Sequence, residues 1–151
     1  MDTNKNFLKV DELLDLAIEF EQESADYYQK LQNNIENQRV LDMLKELENQ
    51  EIEHRDILKN FELEDKPYPM LQFGPSFSIT LPEVQSDSPT LRELLDVAID
   101  REIVSRQIYN TTAGQVFGNL AQVLQDLAAF EGEHETKLKD LRSYLLGEDK
   151  T

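Results

Sequence analysis

The 151-residue chain has no cysteine, only two histidines, and few basic residues, with 15 Lys+Arg against 31 Asp+Glu. The missing cysteine excludes disulfides, iron–sulfur clusters, thiolate zinc sites and any rubredoxin-type centre within the chain. It also fits a reducing compartment. A net charge of −16 leaves no basic stripe to neutralise phosphates, so nucleic acid is not an expected partner. Long apolar runs are absent as well. Nothing approaches the roughly 18 residues that mark a spanning helix, and Met1 to Val10 is polar and charged rather than signal-like. The expectation is a soluble, cytoplasmic protein of one domain, residues 1–151, with no membrane partner.

Proline is scarce everywhere but in one place. Pro67, Pro69, Pro75, Pro82 and Pro89 all fall in one segment, which proline's fixed φ and missing N–H keep from being helical. Residues 64–89 therefore read as a long crossover, held down by Phe73, Phe77, Ile79 and Leu81. On both sides apolar residues recur at three and four, as in Leu13, Leu14, Ala17, Ile18, Tyr28 and Leu31. Helices are expected at about 11–36, 38–62, 91–111 and 118–146. Asp11 is a candidate cap for the first, and Thr90 with Glu93 spells a capping box for the third.

The two halves repeat each other. Glu12-Leu13-Leu14-Asp15-Leu16-Ala17-Ile18 matches Glu93-Leu94-Leu95-Asp96-Val97-Ala98-Ile99 at an offset of 81, continuing through Glu21/Glu102, Ser24/Ser105 and Tyr28/Tyr109. In the next helices Leu44, Leu47, Glu51, Glu53, His54 and Leu58 match Leu124, Leu127, Glu131, Glu133, His134 and Leu138 at an offset of 80. One residue is thus lost in the second interhelical turn, around Thr111 to Gly118. The chain reads as a duplicated helical hairpin. Two antiparallel hairpins joined by a long crossover make an all-α, ferritin-like four-helix bundle.

Helical facing puts Glu21, Glu51, His54, Glu102, Glu131 and His134 on the apolar stripes that turn inward. Glu12, Asp15, Glu19, Glu23, Glu48 and Glu53 fall on outer faces. Burying four carboxylates without partners is untenable, since each ion costs several kcal/mol even after relaxation. No lysine or arginine shares the inner stripe, Arg101 lying one position off it. Two divalent cations would cancel four negative charges. Carboxylate oxygens with imidazole nitrogens suit iron, manganese or zinc. Tyr28 and Tyr109, on the same faces as Glu21 and Glu102, fit core packing or a hydroxyl bonded to a metal-bound carboxylate. Gly132, where the first half has Ile52, either opens room for a small oxidant or permits close helix packing.

These residues resemble the rubrerythrin family of di-iron proteins over nearly the whole chain outside the crossover. The motifs are Ala17-Ile18-x-x-Glu21 with Tyr27-Tyr28, Leu44-x-x-Leu47-x-x-x-Glu51-x-x-His54, Ala98-Ile99-x-x-Glu102 with Tyr109, and Leu124-x-x-Leu127-x-x-x-Glu131-x-x-His134. The resemblance implies two iron ions, bridged by Glu51 and Glu131. Glu21 and His54 would complete one site, Glu102 and His134 the other. It also implies reduction of hydrogen peroxide, or reaction with dioxygen, in oxidative-stress defence. A separate rubredoxin-like donor would supply electrons, and the protein would form a homodimer. The chain departs from the family in having no rubredoxin domain, and Ser105 stands where rubrerythrins carry a further glutamate. The same ligand set is similar to bacterioferritin, but Ile52 occupies the place of its haem-binding methionine. Gly147 to Thr151 also leaves no room for its fifth helix. The alternative is therefore an iron-binding ferroxidase or iron buffer that forms no cage.

Overall fold

The boundaries of the helices obey the internal repeat. The structure is a computed structural model in which residues 7–75, 77 and 79–147 are described. Helix α1 (Val10–Gln32) and helix α3 (Leu91–Ala113) are each 23 residues long and are displaced by 81 at both ends. Helix α2 (Gln38–Asn60) and helix α4 (Gly118–Leu146) begin 80 residues apart, α4 running to 29 residues against 23. The missing residue is in the turns: residues 33–37 join the first pair, 114–117 the second. In the longer turn Asn37 caps α2, its side-chain oxygen accepting the N–H groups of Arg39 and Val40 at 3.0 and 3.2 Å. The shorter turn closes through Gly118 at φ +63°, where an added Cβ would also stand 2.5 Å from Glu64 Oε2.

Four expected helix boundaries move. Helix α1 stops at Gln32 instead of about residue 36, because Asn33, Asn34 and Ile35 bond back three residues and tighten the chain out of the helix. Its cap is residue 9, not Asp11: Glu12 Oε1 accepts the Lys9 N–H at 2.9 Å, and Asp11 lies inside the first turn. Helix α2 ends at Asn60 and α3 runs on to Ala113. The capping box of α3 forms as read, Thr90 Oγ1 accepting from Glu93 N–H at 3.1 Å and Glu93 Oε1 from Thr90 N–H at 3.2 Å.

Helices α1 and α2 pack as one hairpin, α3 and α4 as the other, and the two hairpins dock through α1 against α3 and α2 against α4. The result is an all-helical four-helix bundle. The apolar interior is split in two. One cluster gathers the start of α1 (Leu13, Leu14, Ala17), the end of α2 (Leu58), the end of α3 (Ile108, Tyr109) and the start of α4 (Leu120, Leu124). The other gathers Tyr28 and Leu31, Leu44 and Leu47, Leu95 and Ala98, and Leu138 and Leu141. Leucines 44, 95, 120, 124 and 138 have no exposed surface, each contributing about 1.5–3 kcal/mol by its burial.

The crossover leaves α2 at the first cluster and enters α3 at the second, so it runs the length of the bundle. Leu71, Phe73, Ile79 and Leu81 are buried along it, and Phe77 packs half-buried against the core. Its residues Leu71–Gln72 pair antiparallel with Phe7–Leu8 in a minimal two-stranded ribbon. No helix among the described residues is long and apolar enough to cross a membrane.

Candidate metal centre

Between the two apolar clusters lies a polar layer. Glu21, Glu51, Glu102, Glu131, His54 and His134 are all at most 3% exposed. The outward acids Glu12, Asp15, Glu19, Glu23 and Glu53 are exposed and Glu48 half-buried, as the helical facing required. Each inward residue is placed by its helix. Glu51 and His54 share a face of α2 at i and i+3, Glu131 and His134 repeat this on α4, and Glu21 and Glu102 project from α1 and α3.

The donor atoms form two overlapping groups. One is Glu21, Glu51, His54 and Glu131; the other is Glu51, Glu102, Glu131 and His134; within each, the atoms lie within 4.8 Å of one another. Glu51 and Glu131 belong to both. His54 Nδ1 stands 3.2 Å from Glu131, 3.5 Å from Glu51 and 3.7 Å from Glu21. His134 Nδ1 stands 3.2 Å from Glu51 and 3.3 Å from Glu102, with Glu131 at 4.0 Å. The two imidazoles lie nearly parallel, 12° apart in plane with centroids at 5.8 Å.

Proximity here is not hydrogen bonding. Both His Nδ1 atoms, both oxygens of Glu51, and one oxygen each of Glu21, Glu102 and Glu131 are buried without a hydrogen-bond partner. Such orphaned atoms are rare in folded proteins, and each costs about 1–3 kcal/mol if left so. Their spacing suits a cation: donors bound at about 2.0–2.2 Å around one ion lie roughly 3–3.5 Å from each other. The buried Glu/His cluster could thus hold a metal ion, and its oxygen and nitrogen donors suit iron, manganese or zinc without selecting among them.

Protons can do part of the same work. Burial, then the charge of Glu51, pushes Glu21 up to about 8. Burial and the carboxylates of Glu102, Glu51 and Glu21 raise Glu131 well above the ordinary range. Burial alone would lower the histidines, but facing carboxylates outweigh it, raising His54 to about 9 and His134 to about 10. Burial opposes ionisation of Glu51 too, yet both imidazoles hold it down to about 2. At neutral pH the cluster keeps protons on Glu21, Glu131 and both histidines.

The tyrosines cross over. Tyr28 on α1 donates to Glu102 on α3 at 2.6 Å, and Tyr109 on α3 donates to Glu21 on α1. Each therefore serves the carboxylate of the opposite hairpin, not the one two turns away on its own helix. Arg101 is buried, but its guanidinium turns away from the cluster: it donates to the Pro82 carbonyl at 3.0 Å and lies over the Tyr27 ring at 5.2 Å. Gly132 faces Arg106, whose Nη1 would be 3.4 Å from an added Cβ and ion-pairs with Glu135 at 2.6 Å. The geometry supports neither reading of this glycine: the neighbour an added Cβ would meet is Arg106 and not the donor cluster, and the contact would be at ordinary van der Waals distance.

Two neighbours of the histidines escaped the sequence reading. Gln50 Oε1 lies 2.7 Å from His134 Nε2. Phe130 lies against His54, ring centroids 5.2 Å apart. Position 50 corresponds to 130 at the offset of 80, but Glu48/Ala128, Asn49/Ala129 and Ile52/Gly132 differ too, so the repeat did not single this pair out. No family model, curated protein or solved structure was found to match this chain.

Proposed function

We propose that this protein is a di-iron oxidoreductase of the ferritin-like, rubrerythrin type, acting on peroxide or dioxygen with electrons from a separate donor. The observation that carries the reading is the pair of overlapping donor groups sharing Glu51 and Glu131. One carboxylate pair common to two otherwise separate sets is what two adjacent cations need, and a single structural ion would not need it. In this reading Glu51 and Glu131 would be shared by the two irons, Glu21 and His54 would complete the set for one, and Glu102 and His134 the set for the other.

When bound, two Fe(II) ions supply one electron each to an O–O bond. The protein's own contribution is position and environment. Apolar clusters on both sides of the polar layer keep bulk water from it. Tyr28 and Tyr109 fix one oxygen of Glu102 and Glu21, leaving the other free to bind. The histidines present Nδ1 inward.

The alternative, an iron-binding ferroxidase without defined turnover, draws support from Ser105. It is buried on α3 one turn beyond Glu102, and the buried carboxylates among the described residues are Glu21, Glu51, Glu102 and Glu131 alone. No fifth carboxylate among them is at hand to follow a redox-linked movement of iron. Anaerobic Fe(II) loading followed by a peroxide pulse distinguishes the two. Sustained peroxide consumption under a rubredoxin-linked reductant supports the peroxidase; a single stoichiometric oxidation supports the ferroxidase.

A further inference from the structure

The donor set is symmetric, but its surroundings are not. Glu51 and Glu131 are common to both groups, and the bonds from Tyr28 to Glu102 and from Tyr109 to Glu21 match across the repeat. The equivalent positions 50 and 130 differ. Each stands against the histidine of the other hairpin, Gln50 against His134 and Phe130 against His54.

We propose that Gln50 makes the two cation sites unequal, so that the site of Glu102 and His134 fills first. The inference rests on the metal-centre reading above. With the amide oxygen at 2.7 Å, His134 Nε2 carries a ring hydrogen and donates it. This fixes the ring's rotation and keeps that hydrogen on Nε2, so the proton a cation displaces is the one on Nδ1, whose lone pair then faces Glu51 and Glu102. A phenyl ring provides no such acceptor, so His54 has neither its orientation nor its tautomer set by Phe130. An outer hydrogen-bond partner of a metal-bound histidine is typically worth 10–100-fold in metal affinity. Gln50 is a positioning residue here, since it acts only through His134.

Two histidines in the whole chain make two imidazoles to follow by NMR, assigned from a His54→Gln variant. Substoichiometric Zn(II) added to the full-length, metal-stripped protein should shift the His134 ring signals before those of His54. Gln50→Leu should weaken the first binding step about 10–100-fold and make both rings respond together. Gln50→Glu keeps an acceptor and should restore the order. Phe130→Gln should tighten the second step by a similar factor; Phe130 is 42% exposed, so the change leaves the core intact. Simultaneous response of both rings in the unmodified protein, or unchanged order in Gln50→Leu, overturns the inference while leaving the metal centre standing. Failure of zinc to move either ring overturns the metal-centre reading, and this inference with it.

Discussion

Tyr28 reaches from α1 across the bundle to hold Glu102 on α3, and its repeat partner Tyr109 reaches back to hold Glu21. Each hydroxyl satisfies a carboxylate that its own hairpin does not carry. The pair therefore ties the hairpins together in the layer where apolar packing is interrupted.

Tyr28→Phe should destabilise the protein by about 1–3 kcal/mol, the cost of leaving a buried acceptor unpaired. Urea denaturation measures it, with helix content as the control for folding. A change below about 0.5 kcal/mol would show that the hydroxyl is not needed to satisfy Glu102.

Stability of the metal-stripped protein should fall as pH rises. The histidines hold protons to about 9 and 10 in the fold, against 6.5 ordinarily, and Glu21 to about 8 against 4.5. Between these limits the native state binds more protons than the unfolded chain, so the stability they confer is lost as pH rises through the folded values. Glu51 works the other way, its contribution being present above 4.5 and lost as pH falls toward about 2. Thermal midpoints should thus be higher near pH 6 than near pH 9, and a flat profile would contradict the buried cluster.

Metal uptake should show the reverse trend. Cations must displace the protons on Glu21, Glu131, His54 and His134, so affinity tightens with rising pH and protons are released on loading. A dye-monitored titration in weak buffer near neutrality detects the release. Its absence would mean that metal binds elsewhere.

Glu131→Gln should abolish binding of a second metal ion while leaving metal-free stability within about 1 kcal/mol, because an amide is close in shape to the protonated carboxyl. Glu51→Ala should likewise lose two-metal loading. Glu53→Ala, at an exposed position, should load normally. Elemental analysis after dialysis reads all three.

Gly132→Ala should stabilise the protein by up to about 1 kcal/mol, the helix-propensity gain, since its Cβ would meet only the flexible Arg106 side chain, at ordinary contact distance. Metal loading should not change.

The repeat made most of this legible. Glu21, Glu51, His54, Glu102, Glu131 and His134 could be placed inward because α1–α4 are long enough for facing to follow periodicity. What periodicity could not supply was which helix a side chain meets. Tyr28 and Tyr109 were placed on the correct face, but their partners across the bundle depend on how the hairpins dock. Gln50 and Phe130 sit beside the inward stripe, where facing alone does not decide between core and solvent. The end of α1 was misplaced because Asn33 and Asn34 are not strong enough breakers to announce a turn.

Each group of donors draws on both hairpins: the first borrows Glu131 from α4, the second borrows Glu51 from α2. Neither half of the chain, folded by itself, carries all four donors of either group. A cation held by a full set would therefore have to wait for the halves to meet, and would serve as a receipt that assembly has finished.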